Sequence, residues 1–360
     1  MIKLLIVDDS ALMRRLLTEA FRNAGDFDVV VARDGEEALS MLEEARPDVI
    51  TLDVNMPGLN GLETLDRIML QRPCPVVMLS ALTTDGADVT LEAMQLGAVD
   101  FVAKPKGAVS LRIDDLAEEL VGTVRSAAAA RVRRSHRLAE RLKMSRGAAR
   151  TPVRSEPPSR VSKAKPAGTD LGLALVGSST GGPPALDELL SSLPDTFPWP
   201  VLVAQHMPAS FTGALARRLD RLCALTVVEA DRSMRLEPGV VYIGRGDADM
   251  VVSRRGDALF VMPAPESDRY RWHPSVDRLV DSAMAHVPAE RLAGILLTGM
   301  GNDGATAMTR MREAGGWTVA ESEQTAVVWG MPGELAKAGG AVVVADLPEI
   351  AGHLLAAVGR

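Results

Sequence analysis

Cysteine is scarce in this sequence of 360 residues, in which Cys74 and Cys223 are the two examples. Two cysteines can supply neither a disulfide framework nor a cysteine-based zinc site, and so small a number fits a reducing compartment. Long apolar runs are missing as well, since none approaches the roughly 18 residues that a membrane-spanning helix needs, and the opening MIKLLIVDDS is a poor signal peptide. These absences predict a cytoplasmic protein that does not insert into a membrane.

A basic segment interrupts a chain that is otherwise acidic. The net charge is −7, yet between Arg125 and Lys165 thirteen lysines and arginines face two acidic residues, a local balance of +11. This stretch turns poor in large apolar residues and ends in Pro, Ser, Gly and Lys, a composition that cannot bury a core. A chain of this length exceeds one ordinary core. We therefore predict an N-terminal domain over 1–122, a basic linker over 123–169 that is helical and then flexible, and a C-terminal domain over 170–360.

The N-terminal part alternates short apolar runs with segments of helical periodicity. The runs that predict buried strands are LLIV (4–7), VVVA (29–32), VITLDV (49–54), PVVMLS (75–80) and VDFVA (99–103). Five strand–helix units in succession predict an α/β fold with a doubly wound parallel sheet. Ligands of such sheets bind beyond the carboxyl ends of the strands.

Polar residues follow these runs at the predicted carboxyl edge. Asp8 and Asp9 come after the first strand, Asp53 ends the third, Ser80 ends the fourth and Lys104 follows the fifth. Three carboxylates at one edge repel each other unless a cation shares them, and hard oxygen ligands suit Mg²⁺. A lysine and a hydroxyl beside them would complement phosphoryl oxygens. A helix-capping role would explain one aspartate but not the whole set.

The segments LIVDDSALMR, TLDVNMPGLNG and AVDFVAKP resemble the signatures of response-regulator receiver domains, and the resemblance spans residues 1–122. It implies a five-stranded, flavodoxin-like receiver in which a histidine kinase phosphorylates Asp53. It also implies that Ser80 and Lys104 sense the phosphoryl group. The ligands that it implies for the Mg²⁺ ion needed in phosphorylation are Asp8, Asp9, Asp53 and the backbone carbonyl of Asn55.

A glycine-rich loop, GSSTGG (177–182), joins an apolar run to a helix-like stretch in the C-terminal part. A phosphate-binding loop would carry a lysine and a Ser/Thr after the glycines, and this loop has neither. Pro183 and Pro184 also remove N–H groups that an anion at a helix N-terminus would use. The glycines instead permit a sharp strand-to-helix turn that presents a serine at its tip.

A serine nucleophile needs a base within hydrogen-bonding reach and a third group that orients the base. Ser179, His206 and Asp303 each follow an apolar run that precedes a helical segment. If those strands share one parallel sheet, the three side chains meet at its carboxyl edge. Asp303 could instead be a plain helix N-cap, and His273 competes with His206, so the residue pattern alone leaves the triad open.

Five further segments resemble the catalytic domain of the chemotaxis protein-glutamate methylesterases, the CheB family, over residues 170–360. They are GSSTGGPPAL, AQHMPASFTGALARRL, PSVDRL, GILLTGMGNDGA and VVWGMPGELAKAGGA. The resemblance implies a mostly parallel α/β hydrolytic domain in which Ser179 is the nucleophile, His206 the general base and then acid, and Asp303 the residue that orients His206. It places the backbone N–H of Met300 in an oxyanion hole, and on geometric grounds we expect the N–H of Thr180 to be the second donor.

The same resemblance bears on two further candidates, Ser178 and His273. Ser178 lies where the family commonly has alanine, so Ser178 is excluded as the nucleophile. The family commonly reads HRPSVD where this chain reads WHPSVD, and the role of His273 therefore stays open.

The function that this resemblance implies is a phosphorylation-activated hydrolase. It would remove methyl groups from glutamate γ-methyl esters of chemoreceptors, release methanol and deamidate receptor glutamines. Its partners would be the receptors and a histidine kinase, with no nucleic acid; Mg²⁺ would serve the receiver, and ester hydrolysis would need no cofactor. The alternatives are a response regulator whose output domain is non-catalytic or binds DNA through the linker charge.

Overall fold

The computed structural model of the chain describes residues 1–81, 84–104, 113–131 and 171–359. Most of the predicted basic linker, residues 132–169, lies outside these ranges, and the predicted domain boundaries stay predictions. No helix among the described residues has the length and apolar character needed to cross a bilayer.

The N-terminal domain is a parallel sheet flanked by helices. Its strands are β1 (Ile2–Val7), β2 (Phe27–Ala32), β3 (Val49–Asp53), β4 (Val76–Ala81) and β5 (Asp100–Lys104). Its helices are α1 (Ala11–Ala24), α2 (Gly35–Ala45), α3 (Gly61–Gln71), α4 (Thr84–Leu96) and α5 (Ile113–Ala128). The strand order is β2-β1-β3-β4-β5, and every pair is parallel. The five-stranded, doubly wound receiver fold predicted from the sequence is confirmed.

The local sequence explains where these elements begin and end. The inner strands β3 and β4 and the end of β1 are runs rich in valine, isoleucine and leucine that are buried on both faces, as the centre of a parallel sheet covered by helices on both sides requires. Helix α3 begins with a capping box, in which Asn60 accepts from the N–H of Glu63 (2.9 Å) and Glu63 accepts from the N–H of Asn60 (3.2 Å). Helix α1 ends at Gly25, which adopts a left-handed conformation (φ 80°).

The C-terminal domain contains a larger parallel sheet. Its strands are β6 (Leu173–Ser178), β7 (Val201–Gln205), β8 (Thr226–Ala230), β10 (Val240–Gly244), β13 (Leu292–Leu296), β14 (Trp317–Glu321) and β15 (Val343–Ala345). They are arranged in the order β15-β14-β13-β6-β7-β10-β8. A small antiparallel sheet is formed by β9 (Met234–Arg235), β11 (Asp249–Arg255) and β12 (Ala258–Ala264). The prediction of a mostly parallel α/β domain is confirmed.

Helices cover both faces of this sheet and create two apolar cores. They are α6 (Gly182–Ser191), α7 (Ala209–Leu222), α8 (Val276–Met284), α9 (Ala305–Glu313), α10 (Met331–Lys337) and α11 (Leu347–Val358), with a 3₁₀ turn at Ala289–Arg291. Strand β6 lies between β13 and β7 in the middle of the sheet. The loops that follow these three strands are therefore neighbours at the carboxyl edge.

The N-terminal domain packs directly on the C-terminal domain. Ala87 and Leu91 of α4 belong to the same apolar core as helices α6 and α7. The rings of Phe101 in β5 and Phe211 in α7 lie 4.3 Å apart, measured between centroids. The α4–β5 face of the N-terminal domain is thus buried against the C-terminal domain.

Candidate active site

The glycine-rich loop makes the sharp turn that its sequence predicts. Strand β6 ends at Ser178, and α6 begins at Gly182, whose N–H donates to the carbonyl of Ser179 (2.7 Å). Gly181 has φ 75°, and a Cβ there would lie 2.7 Å from the side chain of Val327, so both the backbone and the space require glycine. The turn leaves Ser179 half-buried at its tip.

Ser178 and Ser179 have different surroundings. The Ser178 hydroxyl is fully buried and donates to Oε1 of Gln205 (2.6 Å). The amide nitrogen of Gln205 donates in turn to the carbonyls of Ser179 and His206, both at 3.0 Å. The Ser178 hydroxyl is therefore engaged in a buried network that joins β6 to β7, which leaves Ser179 as the accessible hydroxyl of the two.

His206 follows β7 and is hydrogen-bonded to Asp303. Ser178 and Gln205 are paired in register, so Ser179 and His206 leave their strands side by side. Nε2 of His206 lies 2.9 Å from Oδ2 of Asp303. Nδ1 of His206 is buried and has no hydrogen-bond partner within the described part of the chain. Because a carboxylate can only accept, it favours the tautomer with hydrogen on Nε2, and Nδ1 then carries a free lone pair.

Asp303 sits at the N-terminus of helix α8, in a pocket of hydrogen-bond donors. It is 3% exposed and accepts from the N–H of Val276 (2.7 Å), the N–H of Asp277 (3.0 Å) and the hydroxyl of Ser275 (3.1 Å). Burial alone would raise the pKa of Asp303, but the hydrogen bond with His206 and the two backbone N–H groups outweigh it and lower that pKa. The carboxylate is therefore held ionised.

Asp303 caps a helix, as the sequence allowed, but this helix is not the one that follows Asp303 in the chain. The N-cap of the following helix, α9, is Gly304, which has no side chain to cap with. Asp303 instead binds the first N–H groups of α8, a helix that precedes it in the chain by about 27 residues. Asp303 thus caps one helix and contacts His206 with the same carboxylate.

The loops after β6 and β13 contain two backbone N–H groups that are not used in hydrogen bonds with other described residues. The N–H groups of Thr180 and Met300 donate no hydrogen bond within the ranges that the structure covers. The Thr298 hydroxyl donates to the carbonyl of Thr180 (2.8 Å), and the N–H of Ser179 donates to the carbonyl of Thr298 (3.0 Å). A Cβ at Gly299 would lie 2.7 Å from Cβ of Ser179. The loop after β13 therefore runs directly beside Ser179.

His273 belongs to a separate cluster. Its Nδ1 lies 2.9 Å from Oδ1 of Asp249, a carboxylate that is 1% exposed. The guanidinium of Arg278 bonds the other oxygen of Asp249, and the N–H of Ser275 donates to Oδ1 (2.8 Å). These contacts hold the N-terminus of α8 in place, and they indicate a structural role for His273.

The acidic residues of the receiver meet at its carboxyl edge. Carboxylate oxygens of Asp8, Asp9 and Asp53 lie within 4.8 Å of one another. The ammonium group of Lys104 lies 2.8 Å from both Asp8 and Asp53. Three carboxylates against one ammonium leave an excess of negative charge with oxygen donors, which fits a divalent hard cation.

Burial dominates the electrostatics of Asp53. It raises the pKa of the Asp53 carboxyl, and the charge of Asp8 adds to this, while the hydrogen bond from Lys104 opposes it. The N–H of Asn55 donates to Oδ1 of Asp53 (3.3 Å), and Ser80 is buried at the end of β4. The sheet therefore brings Asp8, Asp9, Asp53 and Lys104 together, with Ser80 at the end of the neighbouring strand and Asn55 two residues after Asp53.

Comparisons with known proteins agree with both halves of this architecture. Residues 4–113 match the response regulator receiver domain family, and residues 174–354 match the family described as CheB methylesterase. The protein-glutamate methylesterase/protein-glutamine glutaminase 2 of Rhodopseudomonas palustris is 56% identical over 99% of this chain and 98% of its own. The chain belongs to the CheB methylesterase family. The family membership predicted from the motifs is confirmed.

Two further members of the CheB methylesterase family extend the comparison. The protein-glutamate methylesterase/protein-glutamine glutaminase 3 of Rhodospirillum rubrum is 53% identical over 100% of this chain and 97% of its own. The crystal structure of the Thermotoga maritima CheB methylesterase catalytic domain is 35% identical, with a TM-score of 0.50, and covers 52% of this chain and 98% of that domain. The likeness to the latter confirms the fold of the C-terminal half.

Sequence reasoning missed three residues around the active site. Gln205 anchors the loops after β6 and β7, Trp272 stacks on His206, and Asp100 of the receiver accepts a hydrogen bond from Thr180. A glutamine that ends a buried strand just before His206 was a usable signal. Periodicity carries no information on loop conformation or domain packing, so the other two could be found only in the structure.

Proposed function

We propose that this member of the CheB methylesterase family hydrolyses glutamate γ-methyl esters of chemoreceptors and deamidates receptor glutamines. The observation that carries the proposal is the His206–Asp303 pair beside the accessible hydroxyl of Ser179. Ester and amide substrates share the γ-carbonyl carbon and differ in the leaving group, methanol or ammonia. One nucleophile and one base can therefore serve both.

In the first step Oγ of Ser179 attacks the γ-carbonyl carbon while Nδ1 of His206 takes the hydroxyl proton. The carbon–oxygen bond to the methoxy group then breaks, and His206 returns the proton to release methanol. Water, deprotonated by His206, attacks the acyl-enzyme to give the glutamate carboxylate and restore the Ser179 hydroxyl. Asp303 stays ionised and stabilises the imidazolium. The catalytic nitrogen is Nδ1 because Nε2 bonds Asp303, the reverse of the more familiar triad.

Charge on the carbonyl oxygen develops where the free N–H groups of Thr180 and Met300 lie. Each such donor contributes about 3 kcal/mol of transition-state stabilisation in related chemistry. The requirement for no cofactor in this step stays a prediction.

In the receiver, Asp53 is the proposed acceptor of a phosphoryl group from a histidine kinase. Asp8, Asp9, Asp53 and the carbonyl of Asn55 would hold Mg²⁺, which when bound offsets negative charge on the phosphoryl oxygens. The ammonium group of Lys104 contacts Asp53 and would bond the phosphoryl oxygens after transfer. The Ser80 hydroxyl lies at the end of the adjacent strand β4.

The receiver lies on the active-site loops and would hold the enzyme in a less active state. The Thr180 hydroxyl donates to Asp100 at 2.5 Å, and the Ser126 hydroxyl contacts the sulfur of Met300. Both residues proposed for the oxyanion hole thus touch the receiver. Strand β5 runs from Asp100 to Lys104, so a change at Asp53 has a short route to Thr180. Phosphorylation would shift this closed arrangement towards an open one.

Methanol release from methylated receptor, with and without a small phosphodonor, tests the function. We expect release that depends on Ser179 and increases on phosphorylation. Hydrolysis that persists without the Ser179 hydroxyl would overturn the assignment.

A DNA-binding or non-catalytic output domain is not favoured, because the C-terminal domain matches the CheB methylesterase family and the similar full-length relatives are named as methylesterases. The cytoplasmic location stays a prediction.

A further inference from the structure

An aromatic side chain covers one face of the imidazole of His206. The indole of Trp272 stacks on it with ring centroids 5.7 Å apart and planes inclined by 3°. Trp272 lies in the segment between β12 and α8 and is half-buried. Stacked aromatic pairs stabilise each other beyond the effect of burying their surface.

The same indole also contacts the loop that carries Met300. Gly301 has φ 87°, and a Cβ there would lie 2.7 Å from Cζ2 and 3.0 Å from Cη2 of Trp272. Gly301 directly follows Met300. The indole therefore fills the space between His206 and the loop after β13.

Hydrogen bonds alone leave the imidazole under-restrained. Nε2 of His206 bonds Asp303, whereas Nδ1 has no partner among the residues described. The ring can still tilt by rotation about its Cβ–Cγ bond, and such a tilt displaces Nδ1, which no hydrogen bond among the described residues restrains. Stacking against a flat ring opposes this tilt, because it would separate the two faces.

We propose that Trp272 is a positioning residue for ester hydrolysis. It holds the imidazole plane, and with it Nδ1, the proposed proton acceptor, in a fixed orientation, and it fixes the spacing between His206 and the Met300 loop. The proposal rests on the proposed function, since it takes His206 as the base. Misplacement of a catalytic group by about 1 Å can cost on the order of 100-fold in rate.

The test compares two substitutions of Trp272 in the full chain with a small activated ester as substrate. Trp272→Phe keeps a stacking ring and should retain kcat within about threefold of the unmodified enzyme. Trp272→Leu keeps apolar bulk without a flat face and should lower kcat by about 10- to 100-fold with KM within about twofold. The matched control is Tyr270→Leu, on the same loop with its ring against Arg269 and Arg278, which should leave kcat unchanged.

A second readout separates positioning from general loss of structure and from the proposed function. Nitrogen NMR of His206 should show the tautomer with hydrogen on Nε2 in the unmodified chain and in Trp272→Phe, and averaging with the other tautomer in Trp272→Leu. If Trp272→Leu fails to fold, Trp272→Met carries the same expectation. Unchanged kcat and tautomer in the folded aliphatic variant would overturn the proposal. An inactive unmodified enzyme with an ordered His206 would instead overturn the proposed function.

Discussion

The two parallel sheets of this chain use the same edge for different chemistry. At the receiver edge Asp8, Asp9 and Asp53 crowd around one lysine. At the edge of the C-terminal sheet the imidazole of His206 bonds a single carboxylate, Asp303, and the uncharged hydroxyl of Ser179 lies on the neighbouring loop. Both sets follow the carboxyl ends of neighbouring strands, as the topology of such sheets dictates. The fold supplies the location, and the side chains placed there decide the reaction.

The buried carboxylates of the two edges show how the surroundings set their use. Burial raises the pKa of Asp53 and the charge of Asp8 adds to this, while the ammonium group of Lys104, which Asp53 shares with Asp8, opposes it. The pKa of Asp303 is lowered because helix α8 and His206 supply enough donors to outweigh burial. Crowded carboxylates attract a cation and a phosphoryl group, whereas a carboxylate saturated with donors orients a histidine.

The largest effect is expected from removing the nucleophile at the catalytic edge. Ser179→Ala should lower kcat for ester hydrolysis by about 10⁶-fold, and adding His206→Ala should cost little more, because triad members act as a unit. Methanol release measures the loss of activity in the single and in the double variant. Ser178→Ala is the matched control and should stay active, since its hydroxyl bonds Gln205 rather than facing the site. Activity in Ser179→Ala together with an inactive, folded Ser178→Ala would reverse the assignment.

A smaller loss is expected when the carboxylate of this edge becomes an amide. Asp303→Asn can present an N–H to Nε2 of His206 and so favour the wrong tautomer, which in a comparable triad costs about 10⁴-fold in kcat. In that orientation its oxygen can still accept from the N–H of Asp277 and the hydroxyl of Ser275, while the N–H of Val276 loses its acceptor, so the fold should persist with lower stability. Full activity of Asp303→Asn would show that Asp303 only caps the helix.

Cutting a contact between the two domains should raise activity. Asp100→Asn weakens the charge-assisted bond from Thr180, a class of bond that contributes about 1.5–3 kcal/mol. We expect basal receptor demethylation to rise by about 3- to 10-fold and the gain on phosphorylation to shrink. The control is Asp28→Asn, at an exposed position on edge strand β2, which should change neither the basal demethylation nor the gain on phosphorylation. Unaltered basal activity in Asp100→Asn would remove this contact from the regulatory account.

The smallest effect concerns a second aspartate at the start of α8. Burial, with nearby Asp303 and Asp281, raises the pKa of Asp277 to about 6. The native state therefore binds the proton more tightly than the unfolded state, and the Asp277 contribution to stability falls as pH rises from about 4 to about 6. After allowance for solvent screening, Asp277→Asn should be about 1 kcal/mol more stable than the unmodified chain above pH 6, with no gain below pH 4.

Urea unfolding of the catalytic domain at pH 4 and at pH 7 measures this difference. The asparagine oxygen can still accept from the N–H of Ala307, as Asp277 does at 2.8 Å. Equal stability of the two proteins at both values of pH would contradict the raised pKa.

Most residues of the two sheet edges could be predicted from the sequence, because they directly follow the ends of strands. Apolar runs located the strands, and the polar residues after them, such as Asp53 and His206, fell at the two edges. The position of Trp272 was not accessible, since an irregular segment of the chain places it. The contact of Asp100 with Thr180 joins residues 80 positions apart in different domains, and no local pattern encodes such packing.

The central claim is that a phosphoryl group at one sheet edge controls ester hydrolysis at the other. Methanol release from methylated receptor, measured for the full chain with Mg²⁺ and with or without a small phosphodonor, tests it most directly. The account predicts that release rises with the phosphodonor, that Asp53→Ala abolishes the rise, and that Ser179→Ala abolishes release under both conditions. A phosphodonor-dependent rise that survives in Asp53→Ala, or no rise in a chain shown to carry phosphate on Asp53, would contradict it.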